Sequence, residues 1–357
     1  MSLSASLMYT LETDLNRRRF DIRFGFEDAQ RQNRVLSMLR SIPGVADAEL
    51  WYEARGAILK QGQRLKEAGS GTAMIGIPAD SAYYKPLMIA GRWFQPGDGR
   101  VIVISKDTAD DNNIKLGDTV TLNLFELGDA EWQVIGIYQL IFNNAVGPTP
   151  IYAPLEAFAT ATKQYNEGNR LLVQTTSQDP TTVEKLYIQL KNLYEDRNME
   201  MINTFEASTI HQDRAEAISQ FSIMTTMLLA LAIIVAVVGG ISLMGTLSLG
   251  VVERTREIGV MRAIGARSRT IMGMFVMEGI LQGLLSWLLA IPLSFALARL
   301  LANALGQVMF DANLDYQYSY PAVLTWLVVI LVISTLASIL PARSATRISV
   351  RESLAYV

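Results

Sequence analysis

A short, strongly charged stretch lies between two apolar runs at residues 251–270, which read VVERTREIGVMRAIGARSRT. Glu253 and Glu257 are four residues apart and would share one face of a helix, with Arg254 round the side and Arg262 about a turn further on. The apolar residues of the same segment supply another side: Val252, Ile258, Val260, Met261 and Ile264. Such an amphipathic helix can seat its apolar anchors in a groove of another protein while its charges set the orientation.

Glycines in this segment add a second feature. Gly259 and the pair Gly265-Ala266 would permit bends or a close approach of another backbone. The alternative is that the charges only fix the segment at a membrane surface through attraction to anionic lipid. The residues alone leave both interpretations open.

Conventional catalytic groups are sparse. His211 is the only histidine and cysteine is absent, which excludes a histidine-based zinc site, thiolate metal sites and disulfides. A Ser–His–Asp arrangement would have to use His211, and a Ser–Lys dyad with Lys85 or Lys106 has no support from spacing. Asp110 and Asp111 are expected to be loop acids. The sequence therefore gives no strong indication of an enzyme.

Three long uncharged runs define the second half of the sequence, over residues 221–250, 279–298 and 316–342. About 20 apolar residues are what the hydrocarbon core of a bilayer requires of a helix. We therefore predict an all-α membrane domain over residues 218–357, with spans at about 221–250, 271–300 and 321–341. The formal net charge of −3 and the lack of a basic patch argue against nucleic acid as a partner.

Arginine placement orients the predicted spans, because Lys and Arg accumulate in short cytoplasmic loops. The loop after the first span and the tail after the last carry these arginines: Arg254, Arg256, Arg262, Arg267, Arg269, Arg343, Arg347 and Arg351. The intervening loop, residues 303–320, carries Asp311 and Asp315 but no Lys or Arg. The loop after the first span and the tail after the last are thus expected on the cytoplasmic side. The loop at residues 303–320 and the domain formed by residues 1–217 are expected on the extracytoplasmic side.

Export of that domain needs a signal that the first residues do not offer. The segment MSLSASLMYTLETDLNRRR has neither a signal-peptide core nor a spanning run. We expect a transmembrane helix upstream and interpret the chain as a fragment or a split gene.

The first 217 residues are predicted to form an α+β domain. Strand–helix–strand patterns occur at residues 21–52, with the helix from Asp28, and again at residues 171–205. They suggest two ferredoxin-like lobes around a β-rich insertion with strands at 101–105, 120–127 and 131–138. A generic α+β domain with ordinary turns is the alternative. From about Thr204 a polar, helix-compatible stretch joins the first span, which predicts a stalk helix of more than 40 residues.

Polar and small residues in the second span form a further group. Glu278 is expected in the inner margin of the membrane, hydrated or paired with an arginine of the 251–270 segment, in a structural or coupling role. Gly279 and Gly283 form a G-x-x-x-G step, which permits close helix packing. Pro292 is expected to kink the span.

Two motifs at the ends of the membrane domain carry a family resemblance. ERTREIGVMRAIGARSRTI at 253–271 and PARSATRISVRESL at 341–354 resemble the FtsX-like permeases of MacB-type ABC transporters, the mechanotransmission ABC proteins. GRWF at 91–94 and LGDTV at 116–120 are similar to the periplasmic core domain of that family. Ser349-Val350 stands where the family often has Asp-Pro, and the family normally has four spans rather than three.

The resemblance implies a permease subunit in the plasma (inner) membrane, working as a homo- or heterodimer with a cytoplasmic ABC ATPase. It implies that residues of the 251–270 segment couple the permease to the ATPase: Glu253, Arg254, Glu257, Gly259, Arg262, Gly265 and Ala266. No cofactor is expected on this chain, which lacks a Gly-x4-Gly-Lys-[Ser/Thr] phosphate loop, so a partner would bind ATP. The expected substrate is amphipathic: a lipid, lipoprotein, peptide or drug.

Two other hypotheses remain at this point. The chain could be a signalling or scaffold subunit that activates a cell-envelope enzyme and moves no cargo. It could also be a degenerate half-gene without activity.

Overall fold

A computed structural model describes residues 2–59, 71–140, 149–202, 207–310 and 316–346. Contacts between residues divide the chain into two compact units. The first consists mainly of Thr10–Ser219 and carries the β-sheet; the second contains Gln220–Leu305 and the last helix. The predicted α+β domain followed by three long apolar helices is confirmed.

Four strands and two helices form the first layer of the sheet unit. They are β1 (Ile22–Arg31), α2 (Gln32–Leu39), β2 (Val45–Leu59), β9 (Glu167–Thr175), α5 (Pro180–Glu195) and β10 (Ser208–Thr209). The strand order is β10-β1-β9-β2, with antiparallel neighbours throughout, which is a ferredoxin-like arrangement.

The two predicted strand–helix–strand units are therefore parts of one ferredoxin-like layer rather than two separate lobes. The physical reason is the crossover through α2, which leaves β1 and β2 parallel and one strand apart. That gap is filled by β9, which pairs with β1 on one side and β2 on the other.

The insertion builds the rest of the ten-stranded sheet. Its elements are β3 (Gly71–Ile77), β4 (Leu87–Gly91), β5 (Val101–Ser105), α3 (Lys106–Asn112), β6 (Thr119–Asn123), β7 (Asp129–Gln139), β8 (Thr149–Pro154) and α4 (Leu155–Thr162). Strand β2 joins both parts, because its first half pairs with β9 and its second half with β3 and β6. The predicted insertion strands at 101–105 and 131–138 correspond to β5 and β7.

Two local predictions were wrong in their bounds. The helix expected from Asp28 begins at Gln32, because Gln30 and Arg31 still pair with β9. The strand expected over 120–127 ends at Asn123, after which Phe125–Leu127 form a 3-10 turn. Gly128 closes this turn with a φ of 89°, and its carbonyl accepts a hydrogen bond from the Leu124 amide.

The GRWF motif marks the end of β4 at a tight turn. Gly91 has a φ of 69°, and a Cβ at this position would overlap the carbonyl oxygen of Ile135. Arg92 follows and donates two hydrogen bonds to the carboxylate of Asp98, at 2.7 and 2.9 Å. These bonds lower the pKa of Asp98 below its ordinary value.

Aromatic packing closes the ferredoxin-like layer against its helices. Phe24 on β1 is fully buried and stacks on Tyr187 of α5 at a centroid distance of 5.2 Å. Tyr194 lies about two turns after Tyr187 on α5 and contacts both Phe24 and Phe26 edge to face. Because Phe24 touches both helical rings, it is the central contact between sheet and helix in this layer.

The second unit is built from α-helices: α6 (Ile210–Glu253), α7 (Thr255–Ala263), α8 (Ser268–Phe310) and α9 (Tyr320–Ala345). Helix α1 (Ser2–Leu15) contributes its residues up to Tyr9 to this unit, and its remaining residues belong to the sheet unit. Among the described residues, α6, α8 and α9 are long and apolar enough to cross a membrane. Helix α6 is one continuous element of 44 residues, and its first residues belong to the sheet unit. It begins at Ile210 rather than near Thr204, because Ser208 and Thr209 pair with β1 as β10; residues 203–206 lie outside the described residues, as do Asp311, Asp315, Arg347 and Arg351.

Replacing Phe24 by Ala should destabilise the sheet unit by roughly 3–5 kcal/mol, since a fully buried ring is lost and a cavity remains. Thermal unfolding of the full chain in detergent, followed by tryptophan fluorescence, measures the effect. The matched control is Ile188→Ala on α5, because Ile188 is 49% exposed and should change stability little. Equal shifts for both variants would contradict this account of the core.

Candidate functional site

The segment that joins α6 to α8, residues 253–267, is here called the connector. Its first feature is a break at Arg254, whose φ of −96° and ψ of 18° leave the helical conformation. The hydroxyl of Thr255 donates to the carbonyl of Val252 at 2.7 Å and so satisfies a helix-end acceptor. Glu253 is therefore the last residue of α6, while Glu257 lies in α7.

The connector turns back toward the membrane helices at Gly265, which has a φ of 100°. The Ala266 amide donates to the Met261 carbonyl at 2.9 Å, and the Gly265 amide donates to the Arg262 carbonyl at 3.0 Å. This pair of hydrogen bonds is a Schellman motif, which requires a left-handed residue just after the helix. The glycine thus ends α7 and directs the chain into α8.

One side of α7 is packed inside the helical unit. Ile258 is fully buried in a cluster with residues from α6, α8 and α9: Val251, Ile271, Phe275, Ala342 and Ala345. Met261 and Ala266 pack against the same cluster, and Gly259 is buried beside Ile258. The ends of three membrane helices therefore form the seat of α7.

Arg262 belongs to this inward side. Its guanidinium donates to the carbonyl of Thr346, after the end of α9, and to the hydroxyl of Ser268 at 3.3 Å. These bonds tie α7 to the beginning of α8 and the end of α9. Arg262 thus has structural partners within the chain, whereas Glu253, Glu257 and Gly265 are exposed.

The outward side of α7 carries apolar side chains next to charges. Val260 is 48% exposed and Ile264 is 81% exposed, and they lie four residues apart. Arg256 and Glu257 lie on the exposed turn that precedes them. The apolar side expected from sequence is thus divided, with Ile258 and Met261 facing in and Val260 and Ile264 facing out. The outward set is here called the α7 face.

The connector is also linked to α8 by an ion pair. Arg254 and Glu278 approach to 3.4 Å, and both side chains are partly exposed, at 55% and 35%. An exposed ion pair contributes little stability, but it places a cation beside the carboxylate at the expected membrane margin. Glu278 therefore has an arginine partner in the connector, one of the two arrangements that the sequence suggested.

Gly279 and Gly283 lie where α8 contacts α9. A Cβ added at Gly279 would come within 3.1 Å of the Cβ of Ser338, and one at Gly283 within 3.0 Å of the Cβ of Ser334. Ser334 and Ser338 are buried, and they are themselves four residues apart. The contact therefore has small residues on both helices, which lets the backbones approach closely.

Sequence reasoning missed Ser334 and Ser338, although a signal was present. Two small residues at a four-residue spacing in the third span match the glycine step of the second span. The exposed pair Val260 and Ile264 shows the same spacing, but only packing tells which apolar residues of the connector remain uncovered.

The remaining catalytic candidates stay apart. His211 lies at the start of α6 with its Nε2 3.2 Å from the carbonyl oxygen of Gln178. Lys106 is 3.7 Å from Asp110 in α3, which is a helix-surface ion pair. Across the described ranges, His, Asp and Glu form no cluster of three that could hold a metal ion.

Replacing Gly283 by Val should force α8 away from α9, because the added atoms would meet Ser334. We expect a lower unfolding temperature for the purified chain in detergent, with a cost of roughly 1–3 kcal/mol. Gly273→Val is the control on the same helix, since a Cβ at Gly273 meets nothing within 4 Å. A larger loss for Gly273→Val than for Gly283→Val would contradict the contact.

Comparison with protein families gives two matches that follow the division of the chain. Residues 4–192 match the MacB-like periplasmic core domain, and residues 229–350 match the FtsX-like permease C-terminal domain. The second match includes the connector and both members of the α8–α9 contact.

Similar proteins include an uncharacterized ABC transporter permease of Methanocaldococcus jannaschii, 26% identical over 53% of this chain and 45% of that protein. A macrolide export ATP-binding/permease protein MacB of Rhodospirillum rubrum is 32% identical over 46% of this chain and 27% of that protein. The chain thus spans less than half the length of these relatives.

Among solved structures, the periplasmic region of MacB from Actinobacillus actinomycetemcomitans is similar at 13% identity, with a TM-score of 0.39, over 56% of this chain and 92% of that one. The first family match alone covers more than half of the 357 residues. The chain therefore belongs to the family of FtsX-like permeases that carry a MacB-like periplasmic core domain.

Proposed function

We propose that this chain is the permease subunit of an ABC transporter, in which a partner ATPase drives movement of the extracytoplasmic domain to export or extract an amphipathic substrate. The observation that carries the proposal is the α7 face. Val260 and Ile264 are exposed apolar side chains beside Arg256 and Glu257, on a segment joining two apolar helices of membrane-spanning length.

The contacts of α7 support a coupling role for the connector. Its inner side is held by Ile258 in the cluster formed by the ends of α6, α8 and α9. A force applied to the outer side would therefore act on three membrane helices together rather than on a loose loop. Interiors packed in this way transmit a displacement because they deform little.

The composition of the α7 face favours a protein partner over lipid attraction alone. Partly exposed apolar anchors flanked by charges are typical of a helix that docks in a groove. Anionic lipid would be attracted to arginines but gives no reason for Glu253 and Glu257 to be exposed beside them. The proposed partner is a cytoplasmic ABC ATPase, which would bind the ATP.

The proposal includes a second permease subunit, identical or different, and a location in the plasma (inner) membrane with the sheet unit on the extracytoplasmic side. The arginines of the connector and those at and after the end of α9 support that orientation, because Lys and Arg accumulate on the cytoplasmic side. Relatives whose names include both ATP-binding and permease functions support the association with an ATPase.

Replacing Ile264 by Asp should weaken binding of the partner ATPase about 30-fold, the effect of losing a central apolar anchor worth about 2 kcal/mol. Transport, and the ATP hydrolysis that the permease stimulates in the ATPase, should both fall when the two proteins are measured together in liposomes. Glu257→Lys should act in the same direction through reversed charge.

The matched control for that experiment is Ile264→Leu, which keeps an apolar side chain of the same volume and should retain coupling. Unfolding temperatures of all variants should agree, because Ile264 is 81% exposed. Normal coupling in Ile264→Asp would refute the proposed role of the α7 face. Coupled ATP hydrolysis without release of any cargo would favour a signalling subunit instead.

The absence of cysteine makes the orientation directly testable. Tyr165→Cys places a thiol at a residue 61% exposed in the sheet unit, and Ile264→Cys places one on the connector. A membrane-impermeant maleimide should label Tyr165→Cys on intact spheroplasts and Ile264→Cys only after lysis. Labelling of both on intact spheroplasts would contradict the proposed topology, and the cysteine-free chain gives the background.

A further inference from the structure

A cleft of about 500 Å³ lies in the sheet unit beside the beginning of α6. Its charged lining residues come from the segment after α1 and from α6: Arg18, Arg19, Asp21 and Arg214. Three of these side chains are guanidinium groups and one is a carboxylate. The proposed function of the chain uses none of them.

Two of the charged groups in the cleft already have partners within the sheet unit. Arg18 lies 3.6 Å from Asp14 and 3.8 Å from Asp213, both of which are buried. The carboxylate of Asp21 accepts hydrogen bonds from the amide and the hydroxyl of Thr175, at 2.7 and 2.8 Å. Asp213 also lies 3.5 Å from Arg23 on β1, so two arginines share this carboxylate.

Among the described residues, no carboxylate pairs with Arg19 or Arg214. Within the described part of the chain, neither guanidinium has an acidic group at ion-pair distance, and the buried Nε of Arg214 has no hydrogen-bond partner. A buried guanidinium nitrogen without an acceptor is costly, because its lost hydration is not replaced. The cleft therefore offers two cations and at least one donor for an anionic ligand.

The two guanidinium groups suit an oxyanion such as phosphate. Guanidinium groups match the oxygens of a phosphate in fork geometry and form charge-assisted hydrogen bonds with it. The cleft is also larger than a simple anion needs, and the apolar side chains of Leu15, Phe20 and Ile210 form part of its wall. A phosphate that carries an organic group fills such a space better than a bare ion.

The position of Arg214 along α6 indicates where that phosphate comes from. Arg214 precedes Phe221, the first residue of the uncharged run, by seven residues. At 1.5 Å per residue this is about 10 Å along the helix, which is near the outer edge of the headgroup region. We propose that the cleft binds a phosphate group, supplied by the headgroup of an anionic phospholipid; this source rests on the proposed orientation, whereas the phosphate chemistry does not.

The test is a titration of the purified full chain, in neutral detergent and without any ATPase, with short-chain phosphatidylglycerol, glycerol 3-phosphate and inorganic phosphate, followed by calorimetry. Diacylglycerol of the same chain length is the ligand without phosphate. We expect saturable binding of phosphatidylglycerol that weakens with added salt and no saturable binding of diacylglycerol.

Arg19→Gln and Arg214→Gln should each weaken that binding roughly tenfold, since each removes a charge-assisted contact. Arg197→Gln removes an equal charge from an exposed arginine at the end of α5 and should leave binding unchanged. Arg19→Gln should fold normally, because the side chain of Arg19 is exposed. Arg214→Lys keeps a cation and should restore part of the affinity that Arg214→Gln loses.

Each outcome of the titration decides one part of the inference. Binding of glycerol 3-phosphate or inorganic phosphate as tight as that of phosphatidylglycerol would support the phosphate site and make a soluble ligand the source. Absence of saturable binding for all three, or binding that Arg19→Gln and Arg214→Gln leave unchanged, would overturn the proposal. Because no ATPase is present, neither result depends on whether the α7 face couples one.

Discussion

The close contact between α8 and α9 is the interaction on which the candidate site depends. Gly279 and Gly283 bring the two helices together over Ser338 and Ser334. Hydrophobic attraction gives helices no reason to associate in lipid, so close van der Waals contact between small residues has to supply the association. A larger side chain at either glycine would separate the two helices along this line.

The seat of the connector follows from that contact. Ile258 packs against Ile271 and Phe275 of α8 and against Ala342 and Ala345 of α9. This pocket for Ile258 exists only while the two helices lie side by side. Its occupation decides which residues of α7 face outward, and with them the composition of the α7 face.

The two ends of α6 are fixed by different kinds of interaction. At its beginning, β10 pairs with β1, and Asp213 lies between Arg18 and Arg23 in a buried ion-pair group. Burial raises the pKa of the neighbouring Asp14 above its ordinary value despite the attraction of Arg18 and Arg17. At its end, the helix runs into the apolar seat of α7. Helix α6 is thus one continuous element with contacts at both ends.

The sequence by itself determined the features that depend on local composition. Runs without charge predicted the three apolar helices, since a bilayer requires helices that satisfy their own backbone hydrogen bonds. Alternation predicted β1 and β2, and strand-like runs between turn residues predicted β5 and β7. The spacing of Gly279 and Gly283 indicated a packing face. The charges and glycines of residues 253–266 located the connector, because their types suit a surface turn.

Tertiary structure decided what depends on contacts between distant residues. Strand β9 lies between β1 and β2, so the two predicted lobes form a single ferredoxin-like layer. Ser208 and Thr209 pair with β1, so α6 begins only at Ile210. The sequence showed that Ile258, Val260 and Ile264 are apolar. Packing against α8 and α9 buries Ile258 and leaves Val260 and Ile264 exposed. The physical reason is that burial is a property of neighbours, and neighbours from other helices leave no mark on the local pattern.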